Sequence, residues 1–222
     1  MKNTFHKTNQ SNKKASRPIT EPQLIEASLQ DALLQRIREL SFPAYCHLVR
    51  LLLYRSGYTS VQIVEPGTAG FATSNLTPGK SSSVGETRRL IYSGLMAVSH
   101  TDLASALTLV RVKQAKGVPV SRRFVDQLRG AMLRLGDEQG LLIATGRFSR
   151  YAISSATQTP SPLSPVRLID GVMLCAMLRE RGLGIRKTVE TKERTFQLID
   201  ESFFQLLEKR AGRQKENQSN VA

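Results

Sequence analysis

Cysteine and histidine are scarce here, with two and three copies in 222 residues, and acidic residues number 18 against 32 lysines and arginines. Cys46 and Cys175 both fall within apolar helical patterns, where a reduced and buried thiol behaves as a small hydrophobe. The sequence therefore offers little for a structural disulfide or a zinc site. No apolar run approaches the roughly 18 to 20 residues of a membrane span, and the first twenty residues lack the apolar stretch of a signal peptide. A cytoplasmic protein without a membrane partner is the expectation.

What is abundant is positive charge, a formal +14 that is unevenly spread. Residues 1–20 carry Lys2, Lys7, Lys13, Lys14 and Arg17 with no acid, and residues 209–222 carry Lys209, Arg210, Arg213 and Lys215 against Glu216. The two ends thus hold five and three of the net charges, leaving six on the body. Such tails read as disordered and suit a polyanion, because each neutralised phosphate releases counterions and adds affinity without regard to sequence. The alternative is that they serve solubility alone. Between the tails, 40% hydrophobic residues suffice for one sizeable core.

Apolar periodicity predicts helices over 22–39, 44–54, 121–136, 149–155, 170–181 and 201–210. β-rich runs predict strands over 59–64, 90–98, 107–113, 140–145, 166–169 and 193–198, with a short extended piece at 102–104. Alternation of strands with helices implies a sheet covered on both faces, an α/β sandwich. Residues 65–89 read as a loop. Gly79-Lys80-Ser81 in it resembles the end of a phosphate-binding P-loop, but Ser74 stands where that pattern needs glycine and no strand-loop-helix context surrounds it.

The strand at 107–113 carries the chemistry. Residues i and i+2 share a face, so Arg111 and Lys113 project together while Val110 and Val112 point the other way. Asp102 precedes them by about the length of a short turn and strand, and antiparallel pairing is expected to bring its carboxylate beside Lys113. Carboxylates holding Mg²⁺ with a lysine to orient the nucleophile are the outline of a nuclease site. Asp102 as a turn residue and Lys113 as a solvated strand end are the alternative readings. Arg122 and Arg123 open the following helix, where the positive end of the dipole disfavours cations and an anion would offset them, although Arg122 can instead pair with Asp126 at i+4. Cys46 and His47 are adjacent on a helix and do not face each other, which argues against a thiol nucleophile.

Leu107 to Lys113, Val118 to Gly130, Gly140 to Ser149 and Pro165 to Gly171 together resemble the Mrr-type restriction endonuclease domain of the PD-(D/E)xK nuclease superfamily. The resemblance spans roughly residues 42–185. It implies a restriction-endonuclease-like three-layer α/β/α sandwich with a mixed central sheet, DNA as partner, and Mg²⁺-dependent phosphodiester cleavage. It divides the chain into a basic tail (1–20), an N-terminal helix (21–41), an endonuclease domain (42–187), a strand and helix extension (188–210) and a polar tail (211–222). Asp102 takes the metal-binding aspartate's place and Lys113 that of the motif lysine, with Arg111, Lys116, Arg122 and Arg123 on the DNA side. Arg111 stands where the family has glutamate or glutamine, and Cys46 where it has a helical glutamate. A guanidinium about 4 Å from a second cation is repelled by about 4 kcal/mol at an effective dielectric of about 20, so Arg111 works against a metal and for a phosphate. Three functions stay open: an active endonuclease, a non-cleaving DNA-binding protein on the same fold, and a protein-interaction module. A homodimer is likewise left open.

Overall fold

The computed structural model describes residues 21–64, 94–100, 105–115, 117–135, 139–157, 165–191 and 194–219. The tail 1–20, the loop 65–89 and the piece 102–104 read above lie outside the described residues.

Two helices come first. α1 (Glu21–Glu39) buries Leu33 and Ile37. α2 (Phe42–Arg55) begins at Ser41, whose Oγ accepts from the Ala44 N–H, and has Pro43 in its first turn, where a missing N–H costs nothing. Gly57, with φ at +94°, turns the chain out of α2. β1 (Tyr58–Val64), β2 (Gly94–His100) and β3 (Ser105–Lys113) then form an antiparallel meander. α3 (Arg122–Leu135) leads to β4 (Gln139–Ala144), and α4 (Arg150–Thr157) to β5 (Val166–Ile169). β4 pairs parallel with β3, and β5 parallel with β4, giving a mixed five-stranded sheet in the order β1-β2-β3-β4-β5.

Side-chain alternation on this sheet makes two cores. Val110, Val112, Leu141, Ile143 and Ile169 pack against α1, α2 and α5 (Gly171–Glu180). Leu109, Leu142, Ala144 and Val166 pack against α3 and Ala152 of α4. The result is the three-layer sandwich expected from alternating elements. β4 shows why its sequence is almost wholly apolar: residues 140–144 are buried on both faces, as a central parallel strand requires. Asp170 caps α5 by accepting from the Met173 N–H at 2.9 Å.

Three elements differ from expectation. The second strand reaches His100 rather than stopping at Val98. A strand absent from the sequence reading, β6 (Ile185–Thr191), pairs antiparallel with β7 (Arg194–Ile199) as a separate hairpin. The final helix, α6 (Glu201–Ser219), continues through most of the segment read as a polar tail. Phe204, Leu207 and Ala211 are its buried face, and the apolar period ends there, so periodicity could not follow the helix further. α6 is tied to the start of α2 by Glu208, which accepts from the Ser41 N–H at 2.7 Å and its hydroxyl at 2.6 Å.

Candidate functional site

Period-2 alternation on β3 puts Arg111 and Lys113 on the face that α3 covers, beside Leu109. Leu109 is fully buried, whereas Arg111 and Lys113, farther along the strand, are half-buried. Phe124, one turn into α3, meets both cations: the Arg111 guanidinium carbon lies 5.0 Å from its ring centroid and Lys113 Nζ 4.9 Å. The negative ring face attracts each, by about 0.5 to 1 kcal/mol at a partly open site. Arg111 also donates from Nη1 to Gln127 Oε1 at 2.8 Å. One ring and one amide therefore hold two like charges together.

The described residues of the strands on either side are uncharged where they face the pair. On β4, Leu142 lies opposite Arg111 and Ala144 opposite Lys113. On β2 the pairing ends with Leu95 opposite Val110, and Gly94 to His100 contain no acid. No group of three or more metal-ligating side chains forms among the described residues. A divalent cation of the Mg²⁺ type needs several oxygen ligands, and the described residues around the pair do not by themselves supply them.

Asp102, expected beside Lys113, lies outside the described residues. Glu65, Glu86 and Lys116 also lie outside the described residues. Cys46 is not brought to the pair: its side chain is buried in the core on the opposite, Val110 and Val112, face of the sheet. Burial pushes the Cys175 thiol up to about 12, as expected of an inert core thiol.

Arg122 pairs with Asp126 at 3.1 Å, the i+4 alternative read from sequence, and Asp126 also accepts from Ser155 Oγ at 3.0 Å. Arg123 is exposed at the start of α3. The sequence reading missed Arg147, Arg150 and Tyr151, all exposed in the segment between β4 and the first turn of α4. That segment lies beside the entry to α3, because the Val120 N–H donates to the Arg147 carbonyl and the Ser149 N–H to the Val120 carbonyl, both at 2.9 Å.

Thr145, fully buried just past β4, joins these parts. Its N–H donates to the Lys113 carbonyl at 3.1 Å. Its hydroxyl accepts from the Ala115 N–H at 2.9 Å, and its carbonyl accepts from Arg38 Nη2 at 3.1 Å. The basic groups are thus mounted at the ends of two adjacent parallel strands.

A family model of the Mrr type, described as a restriction endonuclease, matches residues 92–178, the stretch that runs from before β2 into α5. This segment carries an Mrr-type restriction endonuclease domain. Among solved structures, the DNA modification-dependent restriction endonuclease AspBHI is similar at 17% identity and a TM-score of 0.49, over 76% of this chain and 41% of that one. MspJI restriction endonuclease, in complex with a 27-mer oligonucleotide, is similar at 19% identity and a TM-score of 0.42, over 79% of this chain and 35% of that one. The chain spans less than half the length of either. No curated protein sequence matches it. Within the restriction endonuclease segment, then, β3 carries an arginine and a lysine on one face.

Proposed function

We propose that this chain is a DNA-binding protein of the restriction-endonuclease type that grips the phosphate backbone with Arg111 and Lys113. The observation that carries the reading is the sharing of one aromatic ring by two cations that project from the same face of β3. Like charges held together are stabilised by an anion between them, and the guanidinium fork matches phosphate oxygens. Arg123, exposed at the start of α3, adds positive charge, and Lys116 and the basic tails are further candidates for sequence-independent affinity. Arg122 contributes less, since Asp126 already neutralises it.

Metal-dependent phosphodiester cleavage is the second reading, favoured by the matched restriction endonuclease segment with Lys113 at its strand end. It requires carboxylates from outside the described residues, with Asp102, Glu65 and Glu86 as candidates.

A plasmid-nicking assay with Mg²⁺ or Mn²⁺, paired with a binding measurement over a salt series, separates the two. Retention of salt-sensitive duplex binding without nicking is the expected result. Nicking that disappears in Asp102→Ala establishes the nuclease instead. Duplex binding that is absent or indifferent to salt refutes both and leaves the protein-interaction module.

A further inference from the structure

Away from the Phe124 face, a cavity of about 310 Å³ opens beyond the ends of β3 and β4, lined by Arg38, Gly117, Val118, Pro119, Gly146 and Arg147. Among the described residues, its two charged lining members are arginines that come from segments 109 positions apart, and none is an acid. We propose that this cavity is a second phosphate-binding site, one that takes the phosphate of a nucleotide. The nucleotide part of this proposal rests on the DNA reading above; the phosphate part does not.

The cavity is built rather than incidental. Arg38 reaches it from the last turn of α1, where its guanidinium is fixed by two N–H groups donating to the Thr145 carbonyl at 3.1 and 3.3 Å. An arginine has five N–H donors, so most of the fork is left over, and no described carboxylate pairs with it. Arg147 lies across the cavity on a backbone held by its carbonyl's bond to Val120. Gly146 brings that backbone against the strand end: a Cβ there would sit 2.6 Å from Ala115 Cβ, closer than real side chains approach. Gly117, with φ at +78°, makes the turn on the other side. Two unneutralised guanidinium groups in one concavity repel each other and favour a doubly charged anion between them. A phosphate leaves room to spare in a volume at the small end of ligand pockets, and Val118, 74% exposed, and Pro119 supply an apolar wall against which a sugar or base can lie.

The test is a ligand titration by thermal shift and calorimetry at constant ionic strength, with inorganic phosphate, deoxyadenosine 5′-monophosphate and deoxyadenosine as probes. The wild type is expected to bind the monophosphate more tightly than inorganic phosphate and to ignore the nucleoside. Arg147→Gln, at an exposed position, is expected to keep its unliganded melting temperature and bind the monophosphate about tenfold more weakly or worse, the loss typical of a charge-assisted hydrogen bond. Equal affinity for the monophosphate in Arg147→Gln, or no response to any phosphate in the wild type, overturns the site. Equal binding of inorganic phosphate and the monophosphate overturns its nucleotide character. Binding of a 5′-phosphorylated 12-mer more tightly than its 5′-hydroxyl form, lost in Arg147→Gln, identifies a strand end as the source; equal binding of the two, weakened alike in Arg147→Gln, identifies a backbone phosphate. Failure of the DNA reading shows separately, as a duplex that does not bind while the mononucleotide does.

Discussion

Replacing both Arg111 and Lys113 by glutamine tests the phosphate grip through its salt dependence. Each cation that neutralises a duplex phosphate contributes about 0.9 to the slope of log affinity against log salt. The geometry gives two cations on one ring, so the double variant should lower the slope by about 1.8. Over a fourfold range, from about 50 to 200 mM, wild-type affinity then falls about 12-fold more than that of the variant. Fluorescence anisotropy of a labelled duplex at several KCl concentrations measures this. The change should be the same for unrelated duplex sequences, since phosphate contacts carry no base information. Phe124→Leu supplies the control: it keeps both charges and should leave the slope intact while weakening binding several-fold through loss of the ring. An unchanged slope in the double variant, or a change confined to one sequence, refutes the grip.

Other consequences concern the scaffold. Gly171→Ala places a Cβ 2.6 Å from the Thr145 carbonyl oxygen and 2.9 Å from Leu34, and should cost about 1 to 3 kcal/mol, read as a lower melting temperature. Phe204→Ala removes a fully buried ring that lies edge-on to Phe203 at 5.5 Å and under Arg36 at 5.0 Å, for a loss of about 3 to 5 kcal/mol in denaturant unfolding. Burial raises the Cys175 thiol, so it should stay protonated and unreactive toward Ellman's reagent in the native protein at pH 8 to 9 and react once guanidinium unfolds the chain; rapid labelling of native Cys175 contradicts the packing.

What could be read from residues alone depended on how local the signal was. The α3 and β4 patterns and the shared face of Arg111 and Lys113 are periodic or adjacent features, and the structure contains them. Phe124 was legible only as one of the apolar residues of α3; that its ring would meet both cations depends on how the helix crosses the strand. The Arg38 and Arg147 cavity has no local signature, since α1 and the end of β4 meet only in the folded chain. β6 went unread because Ile185 to Thr191 mixes apolar and charged residues, and a two-stranded hairpin outside the main sheet imposes little apolar pattern on its strands.

Thr145 gives its amide to the Lys113 carbonyl and its own carbonyl to Arg38. A single residue therefore sets the span between the gripping strand and the cavity, with no loop in between to stretch. A nucleic acid engaging both places meets a fixed gauge, and only a backbone whose phosphates fall at that interval can occupy the two at once. If the two proposed sites act together, shape rather than base identity decides which duplex or strand end is kept.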